Sequence, residues 1–527
     1  MKRLHLMLIF CFALSLSFLN SCKKDENENP NLLSIEALIG NNTGLEITQN
    51  PSGIAPLTAI ANFESNTQVS ISLRILGDNI IAHEFPEMTS AMEIPIFGLY
   101  PDTTNLIEIT LEAADGKYAI DTIEITTEAL PDNLPEITIE TSSPGTQESE
   151  MILCNLLLAD NDSYQQMPII FDENGVIRWY LDLSNLSTIG APLKTLENGY
   201  LLIGSENYLR EYSLLGEIKN EIFQQGYDFH NDGVELPNGN FTACVTKTGS
   251  QVEIEQSIYS SQADYFIELN RNTGSMIQEW DMREILDVDR NSNTEAPGDW
   301  LQMNGICYSR TDDTYIISGE NQAIFKTDRN NDLQWIIAPH QNWGQSGHDG
   351  NGILQTTDYL LTAIDNSGTA YSEEVQNGTA SGGDFNWTWG QHCIKLLSNG
   401  NILSFDNGKN RQYGNASVNF SRAVEYKIYE TSMQVEQVWE YGTAEGEALY
   451  SENMGDVDIL PQTGNRLICF PDIHYQGEDF AKIIEVSYPD NMSLFEIKIN
   501  YKNTNQGNLT DIIQRAENIR LYGSTAI

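Results

Sequence analysis

The sequence predicts an all-β chain: a six-bladed β-propeller preceded by a small N-terminal β-sandwich. Three observations carry this reading. A strand–turn–strand pattern recurs six times after residue 137. A second element, bearing Trp or another large apolar residue, recurs between the copies. Before both, residues 32–130 alternate apolar and polar side chains over short runs separated by turn residues. Hydrophobic residues make up 40% of 527, enough to fill large cores, so a chain of this length divides into domains.

Taken in order, the chain begins with a targeting segment. Met1-Lys2-Arg3 is a short basic start, and residues 6–19 form an apolar stretch too short to span a bilayer. It runs into "LNSC", which resembles a bacterial lipobox whose cysteine, Cys22, carries the lipid. Residues 1–21 are thus expected to be a lipoprotein signal peptide and 22–31 a disordered tether. Its "KKDE" run resembles the export tags of surface lipoproteins in the Bacteroidetes. The expected location is the cell envelope, anchored by lipid to the outer membrane and open to surface exposure.

Residues 32–130 read as the sandwich, through runs such as "VSISLRIL", "NLIEITLEA" and "DTIEITTEAL". "LPDNLPEI" holds two prolines and places a linker at 131–140, leaving 141–527 for the propeller. The propeller copies are "TLENGYLLIG", "ELPNGNFTAC", "SRTDDTYIISG", "LQTTDYLLTA", "LLSNGNILSF" and "LPQTGNRLIC". Three hold Asn-Gly, which suits the two positive φ angles of a type I′ hairpin turn. Blades expose apolar faces that only neighbouring blades cover, and ring closure hides their edges. "LTDIIQRAEN" near the C-terminus is one of the few helix candidates.

Charge narrows the partners. With 28 Lys+Arg against 75 Asp+Glu, the net charge is -47, which repels nucleic acid and anionic lipid headgroups. An anionic substrate therefore needs local donors. Five cysteines follow Cys22, at 154, 244, 307, 393 and 469, in apolar runs that favour buried free thiols. No Cys/His metal spacing occurs. "DNDSY" and "DVDRNSN" resemble calcium loops but lack the EF-hand spacing, so solvated acidic turns are expected.

Ligands of propellers gather at the mouth of the central channel. The residue entering each inner strand is the candidate for that mouth. His392, His230, Asn304 and, approximately, His348 hold this position in four blades. A neutral imidazole there can attack a sulfuryl or phosphoryl centre and carry the group covalently. Donors must then surround the departing oxygen and the equatorial oxygens, and His230, Asn304, Arg411 and Arg422 are placed to serve. Trp387, Trp389 and Tyr413 are placed to stack on an aromatic ring. A hydrogen-bonded structural histidine, or a funnel that only binds, remains an open alternative. His340 reads as a loop histidine at the rim, His474 follows the last repeat, and His83 is structural in the sandwich.

With these residues in place, the chain resembles the bacterial arylsulfate sulfotransferases that work without a nucleotide sulfate donor. "GLYPDTTN" resembles their N-terminal domain; "YDFHNDGVELPNGN", "WIIAPHQNWG", "QHCIKLLSNGNILSFDNG" and "SRAVEYKI" resemble their propeller. The resemblance implies ping-pong transfer of a sulfuryl group from an aryl sulfate to a phenol, with no metal, nucleotide or other cofactor. It implies a sulfohistidine at His392, a second active-site histidine at His230 and a sulfate-binding amide at Asn304. Two positions depart from the pattern. Gln302 stands in "DWLQMN" where a histidine is expected, and Glu320 stands in "SGENQAI" where an arginine is expected. Two unit charges ~5 Å apart at an effective dielectric of ~20 interact by about 3 kcal/mol. Three accounts follow: a working sulfotransferase with Arg411, Arg422 or Lys409 restoring the charge, an enzyme of altered chemistry, or a non-catalytic surface binding protein.

Overall fold

The structure is a computed structural model. It describes residues 31–39, 45–160, 163–184, 190–254, 257–290, 297–347, 351–414, 419–502 and 509–523. The signal, Cys22 and nearly all of the tether lie outside the described residues.

The N-terminal domain is built on one long hairpin. Thr58–Ile75 pairs along its length with Ile81–Phe97. Its first half also pairs with Glu46–Gln49, and its second half with Thr104–Ala113. Tyr118–Thr126 extends that side. The strands of the expected sandwich thus hydrogen-bond into a single six-stranded sheet. The period-two pattern decides its buried face: Leu73, Ile75, Ile107, Ile109 and Leu111 are fully buried. Arg178 locks this domain to the next. It is fully buried, donates to Gly98 O at 2.7 and 3.0 Å, pairs with Asp172 at 2.8 Å and stacks over Tyr100. His83, the expected structural histidine, stacks on Tyr522 at the same joint.

Six mainly antiparallel sheets of four or five strands follow. Their innermost strands are Leu193–Thr195, Tyr227–Glu235, Met303–Ser309, His392–Leu396, Asp456–Ile459 and Ile512–Asn518. Each touches the next around a central hole. The last meets the first through Thr195 N, which donates to Glu517 at 3.3 Å, and Arg515 Nη1, which donates to Leu193 O at 3.3 Å.

Closure differs from expectation in two places. "LTDIIQRAEN" is no helix; Ile512–Asn518 is a strand paired with Met151–Asp160. Helix propensity contributes only tenths of a kcal/mol per residue, whereas this pairing buries Ile512, Ile513 and Ala516. Likewise Glu136–Ser142, which overlaps the expected linker, pairs with Ser493–Asn500 as the outer strand of the last sheet. The first sheet is therefore completed by the C-terminal strand, and the last sheet by a strand from before the first.

The Asn-Gly turns form, but not as type I′. Gly199, Gly239 and Gly400 have φ near 80°, while the asparagines before them do not enter the left-handed region. Each asparagine side chain instead accepts from the backbone N–H two residues on, at 2.9–3.0 Å. That is a type I turn followed by a left-handed glycine, the loop whose bulge also suits a twisted hairpin. Cys154, Cys244, Cys393 and Cys469 are buried free thiols and Cys307 is half-buried. Burial pushes all five thiols up, away from the reactive thiolate.

Candidate functional site

A cavity of about 310 Å³ opens at one end of the hole, and His392, Asn304, Gln302 and Glu320 all line it. Irregular backbone aims them there. Register slips interrupt three inner strands, between Phe229 and Gly233, Met303 and Gly305, and His392 and Ile394. At or beside these slips Asn231, Gln302 and Cys393 have φ of 51°, 48° and 54°. Such bulges break the strict alternation of side chains and re-aim one of them. Gly305 matters here for space: a Cβ would sit 3.1 Å from Ile394 Cγ2 and 3.2 Å from its backbone N.

Amides stitch neighbouring inner strands together. Asn231 Nδ2 donates to Met303 O at 2.9 Å, and Asn304 Nδ2 donates to Gln391 O at 2.8 Å. Asn304 Oδ1 is buried and has no hydrogen-bond partner among the described residues. Asp232 accepts from Ile306 N at 3.1 Å.

His392 is held in one tautomer. Its Nδ1 lies 2.9 Å from Asn407 Oδ1 and 3.2 Å from Gly390 O, both acceptors. Asn407 cannot turn its amide nitrogen to the ring, because that nitrogen donates to Ser451 O and Met454 O at 2.9 and 2.7 Å. The neutral imidazole therefore carries its hydrogen on Nδ1, and Nε2 presents a lone pair. Glu320 Oε2 stands 3.5 Å from that Nε2.

Beside this mouth, the same inner strands carry a buried ionic network. Asp232 meets Lys194 at 3.1 Å and Arg515 at 3.2 Å. Burial alone would raise its carboxyl, but the two cations hold it at about 2. Lys395 contacts Asp458 at 2.6 Å and Asp456 at 3.9 Å. Arg515 also lines the cavity, and its buried Nε has no acceptor.

Several expected site residues are elsewhere. His230 is not on the cavity wall; the bulge gives that place to Asn231. The His230 ring nitrogens are buried, and burial lowers its pKa to about 4, offset only in part by the Val245 backbone. Arg411 and Arg422 do not reach the cavity. Both clamp the buried Asp406, at 3.1 and 2.9 Å, because an ionised carboxylate in the interior needs counter-charge. Trp389 also faces away, edge-on to Tyr413 at 4.9 Å. His340 Nε2 binds Leu361 O at 2.9 Å, and His474 is exposed between Asp472 and Asp479. Asp287 accepts from the backbone of Gly344 and Asp289, as a loop anchor does. His348 lies outside the described residues.

Of the cations proposed to restore the lost charge, Lys409 alone is on the wall, with Nζ 3.5 Å from Glu452. Arg515, Asn407, Asn231 and Tyr164 were not anticipated. Arg515 was hidden by the helical reading of its segment. Asn407 belongs to "FDNG", whose turn chemistry masked its role behind His392.

A family model described as arylsulfotransferase (ASST) matches residues 137–508, and one described as the arylsulfotransferase Ig-like domain matches 46–128. The chain belongs to the arylsulfotransferase family. It is thereby an enzyme of the arylsulfate sulfotransferase kind. The arylsulfate sulfotransferase AssT of Escherichia coli O6:H1 is 24% identical over 495 residues, covering 76% of this chain and 80% of its own length. AssT of Lelliottia amnigena is 24% identical over 498 residues, covering 77% and 81%. Among solved structures, the Dos1 propeller is similar at a TM-score of 0.29 and 8% identity, over 89% of this chain and 86% of that one. That likeness is too loose to argue from.

Proposed function

We propose that this arylsulfotransferase moves a sulfuryl group from an aryl sulfate to a phenol through a sulfohistidine at His392. The tautomer lock carries the proposal: Asn407 and Gly390 take the Nδ1 hydrogen and leave Nε2 as the nucleophile. In the first half, the Nε2 lone pair forms the N–S bond and the S–O bond to the aryl group breaks, its electron pair leaving with the aryl oxygen. In the second, the acceptor oxygen forms an O–S bond and the N–S pair returns to Nε2. The proton lost by the acceptor matches the one gained by the departing phenolate. The Asn407 contact also stabilises the positive charge that grows on the ring during attack. Lys409 and Arg515 supply positive potential to the sulfuryl oxygens, and Gln302 and Asn304 shape the wall beside them.

The test is turnover of a chromogenic aryl sulfate with and without a phenol. Acceptor-dependent release, with a sulfuryl mass gain on the peptide carrying His392, supports the proposal. Acceptor-independent release means hydrolysis instead. Glu320, a buried carboxylate beside the nucleophile, favours a second reading, a surface binding protein that has lost the reaction. In that case no aryl sulfate turns over, while a phenolic or glycan ligand still raises the melting temperature. The lipid anchor at Cys22 belongs to the same proposal: Cys22→Ser is expected to move the protein from the membrane fraction to the soluble one.

A further inference from the structure

Two acceptors on the cavity wall have no donor among the described residues. Glu320 Oε2 faces His392 Nε2 at 3.5 Å, and in the tautomer fixed by Asn407 that nitrogen has no hydrogen to offer. Two lone-pair bearers thus confront each other at a distance longer than a normal hydrogen bond. Asn304 Oδ1, on the same wall, has no donor either. Glu320 is 7% exposed, so bulk water cannot fully solvate it. A sulfuryl group brings only acceptors and leaves this shortage as it is. A donor carried by the ligand therefore belongs to its aromatic part.

Geometry says where on the ring. In an in-line displacement the sulfur lies between Nε2 and the reacting oxygen, which places that oxygen about 5 Å from Nε2. Glu320 Oε2, 3.5 Å from Nε2, is within reach of groups next to the reacting oxygen and not of the far side of the ring. A para substituent points away from it. An ortho hydroxyl stands about 2.7 Å from the reacting oxygen, the length of a short O–H···O contact, and projects back toward the wall.

We infer that the acceptor is a catechol-type phenol whose second, ortho hydroxyl donates to the Glu320 carboxylate. The inference rests on the sulfotransfer reading of the same cavity. One hydroxyl oxygen forms the bond to sulfur, the N–S pair returns to Nε2, and the proton of that hydroxyl passes to water. The neighbouring hydroxyl keeps its hydrogen and leaves as part of the monosulfate product. A charge-assisted hydrogen bond of this kind discriminates strongly against an analogue that cannot donate, because the buried carboxylate is then left unmatched.

The experiment fixes one chromogenic donor and compares catechol, 2-methoxyphenol, phenol and hydroquinone as acceptors. The expected kcat/KM for catechol is at least about tenfold above that for 2-methoxyphenol, with hydroquinone close to phenol. In Glu320→Ala the catechol to 2-methoxyphenol ratio falls to about one, and in Glu320→Gln, which keeps an acceptor oxygen, it falls part of the way. Comparing ratios between wild type and variants cancels the intrinsic reactivity of each phenol. Equal acceptors in the wild type, or a preference that survives Glu320→Ala, overturns the inference. Calorimetric titration of catechol and 2-methoxyphenol without donor separates the two claims. Selective catechol binding through Glu320 with no turnover of any aryl sulfate defeats the sulfotransfer reading and leaves the ligand class standing. Sulfohistidine formation without catechol selectivity does the reverse.

Discussion

His230 and Asp232 lie two residues apart on one inner strand, and the interior treats them oppositely. His230 has no charged partner, and burial drives its pKa down to about 4 against a weak opposing pull from the Val245 backbone, leaving it neutral. Asp232 has Lys194 and Arg515, and stays ionised with its carboxyl at about 2. The contrast extends to the two zones they represent. The ionic network on the inner strands matches most of its charges and ties neighbouring inner strands together. The mouth leaves Nε2 of His392, Oδ1 of Asn304 and the Glu320 carboxylate without donors. Charges already neutralised by the protein cannot respond to a ligand. Groups left unmatched can, and at this mouth such groups stand on the wall of a cavity.

The largest effect sharpens the mouth side of this contrast. His392→Ala is expected to lower transfer by at least about 10⁴-fold with the melting temperature little changed, measured by steady-state turnover and thermal unfolding. Full activity in that variant removes the nucleophile. The opposite pattern is expected for Asp232→Ala, which strands the buried Arg515 and the half-buried Lys194. Its unfolding free energy should fall by about 3–5 kcal/mol in a denaturant titration. A loss below about 1 kcal/mol would break the distinction between the zones.

Acid provides the third probe. The ordinary histidine value near 6.5 lies above the folded value of about 4 for His230, so between them the unfolded chain binds the extra proton. Stability from this group is complete above pH 6.5 and is lost as pH falls toward 4, on the order of 3 kcal/mol in all. His230→Gln should flatten that part of the pH–stability curve. The smallest effect concerns Glu320. Reversing its charge with Glu320→Arg should raise kcat/KM for a simple nitrophenyl sulfate by about 10- to 100-fold. A decrease would show that the carboxylate assists the anionic donor.

Much of the architecture was legible because it is written in period-two runs and repeated turns. Leu73, Ile75, Ile107 and Ile109 alternate in sequence and are buried as that alternation demands. The position of His392 was legible too, since the "LSNGN" hairpin announces an inner strand and the residue entering it. What escaped was tertiary. Arg411 and Arg422 looked like free cations because nothing local reveals that Asp406, a few residues away in sequence, buries itself between them. The hydrophobic pattern puts His230 on the channel face and the structure puts Asn231 there, since a bulge adds a residue that the pattern does not count. Arg515 was missed because closure by a distant strand overrides the local preference of "IIQRAEN" for a helix.

The strand Ile512–Asn518 makes the cavity depend on the far end of the chain. A ribosome delivers the earlier sheets first, but the guanidinium and Gln514 of the cavity wall arrive with the closing strand. Without its pairing to Met151–Asp160, the cavity wall lacks Ile512, Gln514 and Arg515. A protease cut after residue 502 that freed this strand would silence the enzyme while leaving most of its sheets intact.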